Sequence, residues 1–177
     1  MRITRINQLP WKPEGMILDP YSGSRCWWKG TTANVVFVDR YFVLPGGIQA
    51  SVVSLPFVDG TFDQVWADPP HLIRKSPFKT SSVFGGKLGQ GRFGAYPTRD
   101  VVHDEWTKAS QELWRVTKPD AVLVWKSIDG AKTVSQCVNN GDLACLEACW
   151  KLEEELRFPS VISWSTATTV YTRWSRR

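Results

Sequence analysis

The chain has 177 residues, of which 42% are hydrophobic and 22% charged, and this predicts a single globular domain over 1–177 with a substantial core. No apolar run reaches about 18 residues and the first residues lack the apolar stretch of a secretory signal, so we expect no membrane contact. The four cysteines form no Cys-x-x-Cys pair, and neither histidine lies near three of them. We therefore expect reduced thiols, a cytoplasmic protein and no metal site.

Strands and helices are predicted to alternate along the chain. Apolar, β-branched runs without strict alternation are typical of strands buried on both faces. Within 102–117, Trp106, Ala109, Leu113 and Val116 recur at helical spacing and predict a helix. The runs 16–19, 34–39, 62–68 and 121–126 are predicted strands, 48–53 a weaker one, 24–32 a short helix, 131–151 two helical pieces, and 157–174 two closing strands.

Three of the predicted strands end in an aspartate. Strands that alternate with helices indicate an open α/β sheet, and such sheets bind ligands beyond the carboxyl ends of their strands. Asp19, Asp39 and Asp68 would therefore lie along one edge of the sheet. This coincidence is the strongest functional signal in the sequence.

The turn after the first strand, Asp-Pro-Tyr-Ser-Gly-Ser at 19–24, is suited to ligand binding. Gly23 lets the backbone approach a ligand closely, and a helix after the turn would offer its N-terminal amides to a carboxylate or phosphate. Asp39 follows Asp19 by about 20 positions, the spacing at which an acidic residue accepts hydrogen bonds from ribose hydroxyls. A plain turn followed by an ordinary strand-end aspartate is the alternative.

Positive charge is concentrated just after Asp68. The net charge is +5, and no Asp or Glu occurs from Pro69 to Arg99. Residues 72–100 show no regular pattern, and a loop of this length is usually functional or disordered. Its glycines and basic residues favour an anionic partner, with a solvated flexible loop as the alternative. The basic residues predicted to contact such a partner are Arg74, Lys75, Lys79, Lys87 and Arg92.

Taken together, the motifs resemble those of one enzyme family. DPYSGS, VVFVDR, SLPFVDGTFDQVWADPPHLI and ELWRVTKPDAVLVWK look like the successive motifs of class I S-adenosylmethionine-dependent methyltransferases. The resemblance covers about residues 14–126. It is closest to small, phage-associated methyltransferases with the motif DPPHLI, related to the amino-methyltransferases that carry D/N/S-P-P-aromatic. It implies a Rossmann-like α/β fold: a mostly parallel seven-stranded sheet with an antiparallel final strand and helices on both faces.

The resemblance also implies a site for S-adenosylmethionine. It places the methionine and ribose of the cofactor over the first two strand ends. The implied cofactor-binding residues are Asp19, Tyr21, Ser22, Gly23, Ser24, Asp39, Arg40, Ser51 and Leu55.

Four features depart from the pattern of the family. Arg25 follows Ser24 where the glycine turn usually continues Gly-Ser-Gly. Ser51 stands at about the place of an acidic residue that contacts the adenine amine. Residues 41–49 are too few for the usual helix and suggest a hairpin, and His71 replaces the usual aromatic residue.

The sequence Asp68-Pro69-Pro70-His71 fits the orientation of an amine for methyl transfer. The lone pair of an exocyclic base amine is delocalised into the ring, so the nitrogen must be held in line with the methyl group. The Asp68 carboxylate and the Pro69 carbonyl can each accept one N–H, and two prolines present carbonyls without a competing donor. His71 can stack on the base or form a hydrogen bond, and a structural histidine is the alternative.

These features predict a methyltransferase that acts on an exocyclic amine of a nucleic-acid base, with adenine N6 as first choice. The alternatives are guanine or cytosine amines, a protein glutamine, or a non-catalytic nucleic-acid-binding relic of the fold. DNA or RNA is the expected partner, and Phe78, Phe84, Phe93 or Tyr96 are available to stack on bases. A separate recognition domain does not fit in the chain, so a second copy in a homodimer is one possible source of specificity.

Overall fold

The computed structural model describes residues 5–41, 44–73, 95–129, 140–159 and 168–177. Three 3-10 turns lie at Ile6–Gln8, Cys26–Trp28 and Asn140–Leu146. The strands and the helix of the described residues are β1 Met16–Asp19, β2 Asn34–Asp39, β3 Ile48–Gln49, β4 Phe62–Ala67, β5 Leu72–Ile73, β6 Ala95–Tyr96, α1 Arg99–Val116, β7 Thr117–Asp129, β8 Trp150–Pro159 and β9 Thr168–Arg176.

Seven of the strands form one sheet in the order β3-β2-β1-β4-β7-β9-β8, and β5 pairs with β6 apart from it. In the large sheet, β3, β2, β1, β4 and β7 run parallel to one another. β9 lies antiparallel between β7 and β8, so β8 runs in the same direction as the first five. The predicted Rossmann-like sheet with an antiparallel final strand is confirmed.

Helix α1 covers one face of the sheet, and the helix predicted at 102–117 is confirmed with slightly different ends. Thr98 caps it, because its side chain accepts a hydrogen bond from the Val101 amide. Its apolar stripe, which includes Trp106 and Leu113, packs in one core with Leu18 and Trp125 of the sheet. Among the described residues, no helix has the length and apolar character needed to cross a membrane.

The opposite face of the sheet is covered by 3-10 turns and tryptophans. Ile17, Trp66 and Val124 point to this face, as expected for alternate positions along the strands, and pack against Trp27 and Trp28. The sequence predicts a helix over 24–32, but the structure has only the 3-10 turn Cys26–Trp28 there. In the part of the chain that the structure describes, the α-helix therefore lies on one face alone.

Two other local predictions differ from the structure. Ile48 pairs with Val38 in parallel, and the weak strand is only two residues long. Residues 42–43 of the hairpin predicted for 41–49 lie outside the described residues. The first closing strand, β8, already begins at Trp150 and replaces the end of the predicted helical region 131–151. The structure has a 3-10 turn at Asn140–Leu146 in that region, and 131–139 lie outside the described residues.

Candidate active site

The three strand-end aspartates meet at one edge of the sheet. β2, β1 and β4 are adjacent and parallel, and Leu18 is paired with both Val36 and Val65. Asp19 and Asp39 are the last residues of β1 and β2, and Asp68 directly follows β4. The structure thus brings together the three carboxylates that the sequence placed at the carboxyl ends of these strands.

Asp19 is the most buried of the three, with 3% of its surface exposed. Trp28 Nε1 donates a hydrogen bond to its Oδ2 at 2.7 Å, and the Tyr21 amide donates to Oδ1 at 3.1 Å. Burial raises the pKa of Asp19 to about 7, and the neighbouring Asp68 and Asp39 carboxylates add to this rise against the effect of the two hydrogen bonds. Asp19 therefore changes charge near neutral pH.

Asp39 joins the turn after β1 to the chain that follows β2. Its Oδ2 accepts a hydrogen bond from the Gly23 amide at 3.0 Å, and its Oδ1 accepts one from the Tyr41 amide at 2.8 Å. Gly23 has a φ of 43°, which favours glycine at this position. The Ser22 amide donates to the Val38 carbonyl at 2.9 Å, which holds the same turn against β2. Asp39 therefore holds the turn after β1 and the chain after β2 together at this edge of the sheet.

Arg25, the first departure from the family pattern, has a left-handed backbone with a φ of 54°. It is the only non-glycine residue with a positive φ among those the structure describes. Its guanidinium donates hydrogen bonds to the carbonyls of Leu44 and Pro45 and lies 4.2 Å from the centre of the Phe37 ring. These contacts offset a conformation that typically costs about 1–3 kcal/mol. The left-handed residue also explains why no α-helix starts here.

The remaining cofactor-binding candidates differ in what they can offer. The Tyr21 ring packs edge-on against Trp125 with centroids 6.1 Å apart, so its side chain belongs to the core. Leu55 is also buried in that core. Ser24 contacts the sulfur of Cys26 through its hydroxyl at 2.9 Å.

Arg40 and Ser51 lie close to Asp39. Arg40 directly follows β2, and its guanidinium lies 3.9 Å from the Glu105 carboxylate of α1. The Ala50 amide donates to the Asp39 carbonyl at 3.2 Å, so the next residue, Ser51, lies at the same edge of the sheet.

Asp68 is held by two basic side chains. Lys126 Nζ donates a hydrogen bond to Asp68 Oδ2 at 2.6 Å, and His71 Nε2 lies 3.0 Å from Oδ1. Burial alone would raise the pKa of Asp68, but the Lys126 ammonium and the contact with His71 outweigh burial and hold the pKa well below its usual range. Asp68 is therefore a carboxylate at neutral pH.

Sequence reasoning missed Lys126. This residue lies near the carboxyl end of β7, the strand that pairs with β4. The feature of the sequence that could have identified it is a lysine at the end of an otherwise apolar predicted strand. The last residues of such a strand lie at the same edge of a parallel sheet as Asp19, Asp39 and Asp68.

His71 forms a polar contact in the structure. Its Nε2 faces Asp68, while its Nδ1 is buried and has no hydrogen-bond partner among the described residues. The structure therefore gives His71 a contact with Asp68, and its contact with a base, by stacking or by hydrogen bonding, stays a prediction. The adjoining Pro69 is buried and Pro70 partly exposed.

The basic segment begins and ends beside this site. Leu72 pairs with Ala95 and Ile73 with Tyr96, so two short strands replace the ends of the loop predicted at 72–100. Tyr96 is buried, and its hydroxyl donates to Glu105 at 2.8 Å. Contrary to the prediction, it is therefore not available to stack on bases. The predicted contact residues Arg74, Lys75, Lys79, Lys87 and Arg92, with Phe78, Phe84 and Phe93, lie outside the described residues.

Several solved structures of other proteins have the same fold as this chain. An N1-methyltransferase of 1,6-didemethyltoxoflavin from Burkholderia thailandensis, solved with S-adenosylhomocysteine, is 11% identical, with a TM-score of 0.58 over 92% of this chain and 70% of the other. A methyltransferase from Methanosarcina mazei that depends on S-adenosylmethionine is 13% identical, with a TM-score of 0.51 over 93% of this chain and 94% of the other. The chain has the methyltransferase fold.

The fold alone does not establish the reaction. The cyclase SpnF matches this chain with a TM-score of 0.54 at 11% identity, over 90% of this chain and 74% of the other. No family model and no curated protein matches the chain. The reaction must therefore be argued from the residues of the site.

Proposed function

We propose that the protein is an S-adenosylmethionine-dependent methyltransferase that acts on an exocyclic amine of a nucleic-acid base, with adenine N6 as the first candidate. The observation that best supports this is the position of Asp68 beside Asp19 and Asp39 on a methyltransferase fold. The first two carboxylates suit a cofactor, and the third, followed by Pro69-Pro70, suits an amine.

The residues at the strand ends fit the proposed cofactor. Asp39 lies beside the Gly23 turn, where its carboxylate can accept hydrogen bonds from ribose hydroxyls. Asp19, when ionised, offers a buried negative charge to the cationic amino group of the methionine part. S-adenosylmethionine, when bound, would supply an electrophilic methyl group on its sulfonium and leave as the thioether S-adenosylhomocysteine, and the methylated amine would release one proton.

Asp68 is suited to orienting the amine that receives the methyl group. An ionised carboxylate only accepts hydrogen bonds, so Asp68 can take one N–H of the amine while the Pro69 carbonyl takes the other. The amine lone pair then points away from both acceptors. Lys126 and His71 already occupy one site on each oxygen of Asp68, and each oxygen retains a second one. Because Lys126 neutralises much of the charge, the main contribution of Asp68 is orientation rather than attraction of the developing ammonium.

The choice of a nucleic acid rests on the charge of the sequence that follows Asp68. The segment from Pro69 to Arg99 contains basic residues but no Asp or Glu. Its two ends are paired at β5 and β6, directly after the Asp68 motif. Positive charge in a segment that directly follows the Asp68 motif in the sequence favours a substrate with a phosphate backbone.

The test combines cofactor binding with identification of the product. We expect calorimetry to detect binding of S-adenosylhomocysteine. We also expect transfer of labelled methyl groups to single-stranded DNA or RNA, with N6-methylated adenine found by nucleoside mass spectrometry. Asp68→Ala should lose transfer, whereas Asp63→Asn, at the opposite edge of the sheet, should retain it.

Other outcomes identify the alternatives. A methylated guanine, cytosine or protein glutamine would keep the amine mechanism and change the substrate. Nucleic-acid binding without cofactor binding would show a non-catalytic relic of the fold and refute the proposed enzyme. Neutralising Lys75, Lys79 and Lys87 together should flatten the salt dependence of nucleic-acid binding, and an unchanged slope would remove this segment from the substrate site.

A further inference from the structure

Two lysine–aspartate ion pairs connect β7 to the β4 region, one at each edge of the sheet. Lys118 Nζ donates to Asp63 Oδ1 at 2.6 Å, and Lys126 Nζ donates to Asp68 Oδ2 at 2.6 Å. The two pairs have the same residue types and the same distance between Nζ and the carboxylate oxygen, and both of their lysines lie on β7. They differ in what surrounds them.

The contacts of the Lys118–Asp63 pair hold neighbouring strands together. Asp63 also accepts a hydrogen bond from the Met16 amide at 2.8 Å, where β1 begins. Both side chains of the pair are substantially exposed at the amino ends of the strands, far along the sheet from the three aspartates. This pair therefore ties adjacent strands together and provides a natural control for its counterpart.

The Lys126–Asp68 pair lies inside the candidate site and is less exposed. The exposed fractions of the two side chains are 22% and 28%. Lys126 Nζ also lies 5.6 Å from the centre of the Trp27 ring, which favours a cation at that position. Lys126 thus has two contacts that fix its ammonium beside Asp68.

We propose that Lys126 is a positioning residue for methyl transfer: it fixes the direction of the Asp68 carboxylate and keeps it ionised, so that its free acceptor sites can orient the substrate amine. This inference rests on the proposed function, since it assigns a role within that site. Lys126 itself does not contact the reacting atoms in this scheme. Its effect passes through Asp68.

The charges around Asp68 explain why such a residue is needed. Burial disfavours a carboxylate, and the negative charge of Asp19 on the adjacent strand β1 opposes a second one nearby. Tyr171 on β9 also has its pKa raised by burial and by the charge of Asp68. Against these, the cationic partner from β7 is Lys126, and the contact from the turn after β4 is His71. Removal of Lys126 would shift the balance towards a protonated acid.

A protonated Asp68 would fail as an acceptor. One of its oxygens would carry a proton and donate, and the carboxyl group could also turn away from its present direction. An ion pair prevents both changes. The proposal therefore links Lys126 to turnover through the ionisation of Asp68, and pH is the variable that reveals this link.

The first experiment measures the ionisation of Asp68 directly, with ¹³C NMR of labelled carboxyl groups in the full chain. Lys126→Met should raise the Asp68 pKa from below to above the usual range of a carboxyl group, because burial, the largest influence on it, is then opposed mainly by His71. Lys126→Arg should largely restore the low value, and Lys118→Met should leave it unchanged. An Asp68 pKa that stays low in Lys126→Met would overturn the proposal.

The second experiment measures the pH profile of turnover with the nucleic acid that wild type methylates. In Lys126→Met, kcat should acquire an acid limb at the new Asp68 pKa and fall about tenfold per pH unit below it. Lys118→Met should keep the wild-type profile while losing thermal stability. If Lys126→Met also keeps the wild-type profile, the ion pair is structural and the proposal is wrong.

A double-mutant cycle separates action through Asp68 from direct action on the substrate. In an Asp68→Ala background, Lys126→Met should cause no further loss of kcat, because the carboxylate through which it acts is absent. Additive losses would mean that Lys126 acts on its own and would contradict the proposal. Failure of the wild type to bind S-adenosylhomocysteine would instead refute the proposed function, and the NMR titration would still report whether Lys126 controls Asp68.

Discussion

Cofactor affinity should depend on pH through Asp19. Burial and the nearby Asp39 and Asp68 carboxylates raise its pKa to about 7, so much of it is protonated just below neutral pH. The proposed cofactor has a cationic amino group, which an ionised Asp19 attracts and a protonated Asp19 does not. Binding at low pH must therefore remove a proton from Asp19.

The size of the effect follows from the pKa. With a value of about 7, the ionised fraction is about 9% at pH 6 and about 91% at pH 8. If only the ionised form of Asp19 binds the cofactor well, affinity rises about tenfold from pH 6 to pH 8. The affinity increases with pH because the cationic cofactor favours the charged form of Asp19. At pH 6, binding should release close to one proton.

Calorimetry with S-adenosylhomocysteine measures both quantities without turnover. The dissociation constant is followed from pH 6 to 8, and proton release is obtained from the heats in two buffers with different ionisation enthalpies. Asp19→Asn should remove the pH dependence, whereas Asp63→Asn at the opposite edge should keep it. A flat wild-type profile with no dependence on the buffer would show that Asp19 does not meet a cationic group of the ligand.

Three further predictions concern single residues. Asp39→Ala should weaken binding of S-adenosylmethionine by about 1.5–3 kcal/mol in calorimetry, as expected for hydrogen bonds to a charged group, and unchanged affinity would remove Asp39 from the site. Asp68→Ala should leave that affinity nearly intact while it lowers single-turnover rates about 100-fold or more, and full activity would refute the proposed mechanism. Gly15→Ala should lower the free energy of unfolding by more than about 1–3 kcal/mol in urea titration, since Gly15 has a φ of 71° and a Cβ there would lie 2.6 Å from Asp63 Oδ2. Gly60→Ala, with a φ of 65° and no atom within 4 Å of the added Cβ, should show the backbone cost alone, and equal losses would contradict the steric part of the argument.

The sheet and the position of the three aspartates at one of its edges were predictable, because burial on both faces requires strands of a recognisable sequence. Buried parallel strands require apolar runs, and a charged residue at the end of such a run stands out. This is why Asp19, Asp39 and Asp68 could be assigned to one edge before strand order was known. Helix α1 was predictable for the same reason, since one of its faces is buried throughout.

Features that depend on backbone geometry or strand order could not be predicted from the pattern of apolar residues. The residues around Trp27 and Trp28 suggest a helix, but the left-handed Arg25 and the packing of both indoles on the sheet limit them to one 3-10 turn. Lys126 resembles an ordinary solvated strand end in the sequence. Only the pairing of β7 with β4 shows that its ammonium meets Asp68.

The ionisation of Asp68 narrows the reactions that this site can support. A cyclase shares the fold, so the strand order alone leaves the chemistry open. A carboxyl group whose pKa is held low by Lys126 carries no proton at neutral pH and cannot act as a general acid. It can accept hydrogen bonds, and it can do so in a fixed direction because both of its oxygens are already held. A reaction that needs an N–H group oriented without prior protonation fits these properties, and transfer of a methyl group to an amine is such a reaction.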